Sequence, residues 1–140
     1  MDANNLDFSD IAPYDDSQFK EAINKMVSEP GFEHAIRWIL PDIDYTEFIA
    51  LLSSCNTKHE FQSRVMQNFL NELERKTTAG VTASGVENIN PEKSYTFITN
   101  HRDIVLDASF INLIFLRHNM KTSEVAIGDN LLIYDWITHL

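Results

Sequence analysis

The stretch from Ile104 to Leu116 is apolar on nearly every face of a helix, and it constrains the fold more than any other segment. A helix of this kind is expected to be packed on several sides, because its apolar faces have to be removed from water. It is shorter than the ~20 apolar residues needed to cross a bilayer, and Asp107 interrupts it. The sequence therefore predicts a helix inside a layered fold, with no membrane span.

The segments on either side of this helix have the composition of β-strands. SYTFIT, residues 94–99, is rich in β-branched and aromatic side chains, and EVAIG, residues 124–128, is a second short run of the same kind. A strand, a helix and a strand in this order predict a βαβ unit with parallel strands. The last twelve residues, DNLLIYDWITHL, are predicted to be helical.

The first half of the chain has the three- and four-residue spacing of amphipathic helices. One helix is predicted after Asp15 and Asp16, ending at Pro30, and its apolar stripe is Phe19, Ala22, Ile23, Met26 and Val27. Further helices are predicted in residues 32–40 and in residues 44–54, the second capped by Asp42 or Asp44. A long helix opened by Thr57 and Glu60 is predicted after them. The predicted fold class is α/β: an N-terminal helical region, 1–79, followed by the beginning of an α/β domain, 80–140.

Charge and cysteine content limit the classes of binding partner and the cellular compartment that the sequence predicts. The chain has 11 basic and 21 acidic residues, for a net charge of −10. Nucleic-acid binding needs Lys and Arg to replace phosphate counterions, so we predict no nucleic-acid partner. With one cysteine, Cys55, no intrachain disulfide can form, and the polar N-terminus does not resemble a signal peptide. These features predict a cytoplasmic protein.

Asp107 is a charged residue within the apolar stretch. An ionised carboxylate in apolar surroundings costs several kcal/mol unless it is paired or hydrogen-bonded. His101 precedes it at the predicted strand-to-helix junction, and a carboxylate that orients an imidazole makes a general base near neutral pH. Alternatively, Asp103 and Asp107 both serve the first turn of the helix and His101 is an ordinary loop residue.

Two segments resemble a known family. Tyr95 to Leu116, YTFITNHRDIVLDASFINLIFL, resembles the first motif block of the glycerol-phosphate and lysophosphatidate acyltransferases, in which a His and an Asp are spaced His-x4-Asp. Ala126 to Leu132, AIGDNLL, resembles the start of their second block. The resemblance implies that His101 is the general base and Asp107 its orienting partner. It also implies substrate-binding residues, which are Arg102, Gly128, Asp129 and Asn130.

The activity implied by the resemblance is transfer of a fatty acyl group to a hydroxyl of a glycerol-phosphate-type acceptor in phospholipid synthesis. The acyl donor is an acyl-coenzyme A or acyl-carrier protein, which acts as a co-substrate, and no bound cofactor or metal is implied. Peripheral contact with the inner face of the membrane is expected, because lipid acceptors lie there. The four histidines outside the motif lack paired metal-ligand spacing.

This chain departs from the family pattern in two respects. Five residues separate His101 from Asp107, one more than in the family, and one residue turns a helix by about 100°. Asp103 is the other possible partner of His101, closer in sequence but off the family spacing. The later motif blocks do not appear before Leu140, so we expect a fragment of a longer protein that is inactive alone. Two other functions stay open: a non-catalytic helical interaction or membrane-docking module, and a hydrolase whose histidine activates water.

Overall fold

The computed structural model describes residues 7, 9, 12–100 and 102–139. Its α-helices are α1 (Asp16–Ser28), α2 (Pro30–Ile39), α3 (Tyr45–Ser54), α4 (Lys58–Phe61), α5 (Gln67–Thr77) and α6 (Leu106–Arg117). A π-helical stretch, Gln62–Met66, joins α4 to α5, and 3-10 turns occupy Val86–Asn88, Asp129–Leu131 and Asp135–His139. The chain divides into two compact units: Met1–Lys58 with Gly128–Leu140, and His59–Ile127.

The predicted α/β class and its βαβ unit are wrong. No β-strand occurs among the described residues, and both SYTFIT and EVAIG lie in irregular backbone. A helix completes its hydrogen bonds within its own segment, whereas a strand exists only through a ladder with a neighbour. Two short strands make at best a marginally stable sheet. Strand-like composition in these two segments is therefore not enough to form strands.

Side chains of α6 contact the first predicted strand segment and the residue just before the second. Asn112 pairs with the backbone of Ser123: its Oδ1 accepts from the Ser123 N at 2.7 Å, and its Nδ2 donates to the Ser123 O at 3.3 Å. On the first segment, the rings of Phe97 and Phe115 lie 5.1 Å apart. The first predicted strand segment thus packs the ring of Phe97 on α6 and does not pair with a strand.

The first unit is organised around α1, much as its sequence predicts. Asp15 caps the helix through a capping box with Gln18. Four predicted stripe residues are buried, namely Phe19, Ala22, Ile23 and Met26, and α1 packs against α2, α3 and the turn Asp135–His139. In that turn, Trp136 meets Phe32 edge-on at 5.9 Å. The 129–140 helix predicted from sequence is broken into two short 3-10 turns.

The second unit is built on the packing of α5 against α6. Leu113 of α6 is fully buried. Glu74 of α5 is also buried and forms an ion pair with Arg117, while its Oε1 accepts from the Val81 N at 2.6 Å. The hydrogen bond from Arg117 holds the pKa of Glu74 below its usual value, and the bond from Val81 adds to this effect.

The predicted helices of the first half are confirmed, with small shifts at their ends. Asp44 caps α3, its side chain accepting from the Glu47 N at 3.0 Å. The predicted stop at Pro30 is also the start of α2, where Pro occupies the first turn. No helix in the described part of the chain combines the length and apolar character that crossing a membrane requires. The predicted domain boundary near residue 79 stays a prediction.

Candidate functional site

Asp107 lies in the first turn of α6, and its side chain reaches back toward the preceding loop. Its Oδ2 accepts from the backbone N of Arg102 at 2.6 Å and from that of Asp103 at 2.9 Å. Two backbone N–H groups therefore converge on one carboxylate oxygen. These bonds fasten the backbone immediately after position 101 to the start of α6.

Asp103 makes a second set of bonds in the opposite direction along the chain. Its Oδ1 accepts from the Val105 N at 2.9 Å and from the Leu106 N at 2.7 Å. The first N–H groups of a helix have no partner within it, and an aspartate just before the helix is well suited to accept from them. Asp103 therefore caps the start of α6 from two positions before Val105, which is the residue at the N-cap position and makes no side-chain capping bond itself.

Asp103 bonds to the N–H groups at the start of α6, and Asp107 lies in the first turn of α6, where the helix dipole favours a negative charge. These roles leave the predicted pairing of His101 with Asp107 standing, because an ionised carboxylate has about four lone-pair positions on two oxygens. Two N–H donors on the Oδ2 of Asp107 are compatible with an imidazole N–H donor to the same carboxylate. What the structure adds to the sequence is the direction of the Asp107 side chain.

His101 lies outside the described residues, and its predicted role as general base stays a prediction. Its neighbour Arg102 is exposed and joins the loop through its backbone N–H, which donates to Asp107. The predicted substrate contact of the Arg102 guanidinium also stays a prediction. The structure therefore describes two of the residues predicted in the first motif block, Arg102 and Asp107, and a backbone-to-side-chain hydrogen bond joins them.

The second predicted block belongs to the other unit from Gly128 onward, and that part contains a tight turn. The Gly128 O accepts from the Leu131 N at 3.0 Å, closing the 3-10 turn Asp129–Leu131. A Cβ added at Gly128 would lie 2.5 Å from the Oδ1 of Asn130, so any larger residue would require the Asn130 side chain to turn away. The substrate-binding roles predicted for Gly128, Asp129 and Asn130 stay predictions.

Exposed apolar side chains flank the loop along the chain. Ile98 is 93% exposed, and Ile104 and Val105, the last two residues before α6, are also exposed. The apolar pattern predicts Ile104 and Val105 inside a helix packed on several sides, whereas α6 begins at the next residue, Leu106. Their exposure could not be foreseen from composition. The capping role of Asp103 had a usable signal, an aspartate just upstream of the helix.

Other side chains in the described ranges are weaker candidates for a catalytic or metal site. The residues described hold no group of three or more His, Cys, Asp or Glu side chains that could bind a metal ion. Cys55, the lone cysteine, is buried. The Asp107 loop therefore remains the candidate site.

The chain was compared with protein-family models, with curated proteins and with solved structures, and none matched. The acyltransferase resemblance of the two motif blocks consequently stays a prediction. Any functional conclusion has to come from the residues and their geometry.

Proposed function

We propose that this chain supplies the general base, His101, and its orienting acid, Asp107, to an acyltransferase. The reaction moves a fatty acyl group from an acyl thioester to a hydroxyl of a glycerol-phosphate-type acceptor. One observation carries the proposal: the Oδ2 of Asp107 is 2.6 Å from the backbone N of Arg102. That nitrogen is covalently bonded to the carbonyl carbon of residue 101, so the carboxylate lies against the peptide unit that follows the proposed base.

The conformation of the loop supports the five-residue spacing. Had residues 102–107 been helical, the additional residue would have rotated the acid by about 100° relative to the four-residue spacing. Instead α6 begins at Leu106, and the preceding residues form a turn held by Asp103 and Asp107. The loop takes up the additional residue, and Asp107 still faces the backbone that follows His101.

The mechanism uses the imidazole twice. His101 removes the proton of the acceptor hydroxyl as its oxygen attacks the carbonyl carbon of the thioester. Asp107 orients the ring and stabilises the imidazolium that forms. When the tetrahedral intermediate collapses, the carbon–sulfur bond breaks and the thiol leaves with the proton from His101. The new ester and the free thiol are the products, and the base is restored.

The exposed apolar residues around the loop fit the acyl half of this substrate. Ile104 and Val105 follow Asp103 directly, and Ile98 precedes His101 by three residues. A fatty acyl chain that covers these side chains removes their apolar surface from water, worth roughly 25 cal/mol per Å². The thioester would be anchored near the base by the same contact.

The test is His101→Ala in the natural full-length protein, assayed for acyl transfer from acyl thioester to glycerol phosphate. Loss of a general base lowers the rate by roughly 100- to 10,000-fold. The matched control is His118→Ala, which removes an exposed imidazole at the other end of α6. Full activity in a normally folded His101→Ala protein would contradict the proposal.

A second candidate, the docking module, is favoured by one surface feature. Trp38 of α2 is 78% exposed, and Ile39 and Ile43 beside it in the sequence are exposed too. Tryptophan is enriched where proteins meet the membrane–water interface. The chain is tested for flotation with neutral phosphatidylcholine vesicles, with Trp38→Ala as the variant and His34→Ala on the same helix as control. Absence of flotation counts against membrane docking.

A further inference from the structure

The loop between His101 and α6 contains one acid, Asp103, that the proposed mechanism does not use. Its backbone N donates to the Oδ2 of Asp107 at 2.9 Å. Its side chain accepts from the backbone N of Val105 and of Leu106. Asp103 is therefore a link: one of its groups is held by Asp107, and another holds the start of α6.

We infer that Asp103 is a positioning residue, which shapes the loop so that Asp107 reaches the backbone next to His101. This inference rests on the proposed function and adds to it the residue that makes the five-residue spacing work. Asp103 acts through Asp107 and does not itself orient the base. The sequence alone had left Asp103 as an alternative partner for His101.

The directions of the hydrogen bonds support different roles for the two acids, with Asp103 shaping the loop and Asp107 orienting the base. Both of its side-chain bonds fall on Oδ1 and run forward, to the N–H groups of residues 105 and 106. Both described side-chain bonds of Asp107 run backward, to residues 102 and 103. Asp103 faces the helix with its carboxylate, whereas Asp107 faces the backbone that follows His101.

Loss of the Asp103 carboxylate has a specific consequence for Asp107. The N–H groups of Val105 and Leu106 would lose their acceptor and turn to water, and residues 103–105 would lose the bonds that define their turn. The Arg102 and Asp103 N–H groups would then meet Asp107 for a smaller fraction of time. A displacement of about 1 Å in a reacting group can cost about 100-fold in rate.

The experiment compares three variants of the natural full-length protein: Asp103→Ala, Asp103→Asn and Asp44→Ala. Asn keeps an acceptor oxygen and caps helices about as well as Asp, so it separates the hydrogen bonds from the charge. Asp44→Ala is the matched control, because it removes an aspartate cap from α3. The kcat, the KM and the pH profile of kcat/KM are measured for acyl transfer.

We expect Asp103→Ala to lower kcat by about 10- to 100-fold, with KM within about twofold. A carboxylate beside an imidazole raises the pKa of the imidazole, so a loosened Asp107 should move the acid limb of the profile to lower pH. Asp103→Asn should restore most of kcat and the position of the limb. Asp44→Ala should leave the limb in place, because a purely structural loss changes only the amount of active protein.

The outcomes separate the inference from the proposed function. If Asp103→Ala is as active as wild type while His101→Ala is inactive, the inference is overturned and the proposed function stands. If His101→Ala is fully active, the proposed function itself fails. If Asp103→Asn is as impaired as Asp103→Ala, the charge of Asp103 acts directly and the positioning role is wrong. Should Asp103→Ala not fold, Asp103→Ser, which keeps a capping oxygen, against Asp103→Val gives the same comparison.

Discussion

The N-termini of α1 and α6 are both held by aspartates, but their hydrogen bonds reach different parts of the chain. At α1, the Oδ1 of Asp15 accepts from the Ser17 N at 2.8 Å and the Gln18 N at 3.2 Å, and the Gln18 side chain accepts from the Asp15 N at 3.1 Å. Every bond closes within four residues. At α6, Asp103 caps the helix while Asp107 reaches back out of it, to the Arg102 and Asp103 N–H groups.

The aspartate at α1 stabilises its own helix, whereas the two aspartates at α6 also fix the conformation of the preceding loop. The α1 cap satisfies the first N–H groups of its own helix, and its consequences end there. The α6 pair satisfies those groups and in addition fixes the conformation of the loop that precedes the helix. Because that loop follows His101, the α6 acids affect the proposed chemistry, whereas Asp15 affects only folding.

The largest expected effect comes from Asp107. Asp107→Ala should lower the rate of acyl transfer by roughly 100- to 10,000-fold, since the base loses its orienting acid and the loop loses its anchor. Asp15→Ala should retain the wild-type transfer rate once the rate is divided by the fraction of folded protein. The comparison between α1 and α6 breaks down if both variants, once corrected for folding, lose activity equally.

Asp107→Asn refines the same comparison. The amide keeps an oxygen that can accept from the Arg102 and Asp103 N–H groups, but it cannot stabilise an imidazolium by charge. Hydrogen exchange at these two amides should therefore stay close to wild type while the transfer rate falls. Loss of amide protection together with the rate would show that the two functions of Asp107 cannot be separated.

A smaller effect is expected for the stability of the α6 cap. Asp103→Ala should lower the free energy of unfolding by about 0.5–1.5 kcal/mol, the usual net contribution of an intramolecular hydrogen bond. Urea denaturation measures the change, and hydrogen exchange in the first turn of α6 localises it. An unchanged midpoint would mean that the bonds from Val105 and Leu106 contribute nothing to the folded state.

The α1 cap should show its contribution in the pH dependence of stability. The hydroxyl of Ser17 donates to the Asp15 carboxylate, and with the backbone bonds it lowers the pKa of Asp15. A group whose folded pKa is lowered adds stability above its unfolded value of about 3.9 and loses it as pH falls through the folded pKa. The stability difference between wild type and Asp15→Ala should therefore shrink below about pH 4. A difference that is constant from pH 6 to pH 2 would contradict the cap.

The smallest expected effect is that of Ser17→Ala. The side-chain bond from Ser17 is the largest cause of the lowered pKa of Asp15, while the backbone bonds from Ser17 and Gln18 survive the substitution. The pKa of Asp15 should rise toward its ordinary value, with little change in helix content. Carbon-13 NMR titration of the Asp15 carboxyl measures this shift, and an unmoved titration would remove the hydroxyl from the account.

The helices of the first half could be predicted from sequence because their signals are local. Asp15 and Asp44 mark the starts of α1 and α3, and the apolar stripe of α1 marks its buried face. The strands could not be predicted in this way, because pairing depends on residues elsewhere in the chain. Phe97 lies in a segment of suitable composition, yet its ring contacts Phe115 of α6.

The candidate site was predictable only in part, for a related reason. The sequence indicates that Asp107 needs a partner, because it interrupts an apolar run. That its described partners are the N–H groups of Arg102 and Asp103 follows from the turn of the loop, which composition does not specify. The capping signal of Asp103 is visible in the sequence, but its link to Asp107 depends on the same turn.

The central claim is that the carboxylate of Asp107 binds the backbone N–H groups of the two residues that follow His101. An NMR pH titration tests it by following the Asp107 carboxyl carbon and the amide protons of Arg102 and Asp103 in one sample. The account predicts that all three signals shift with the same midpoint, and that both amides stop shifting there in Asp107→Asn. Amide protons that do not respond as the Asp107 carboxyl titrates would contradict it.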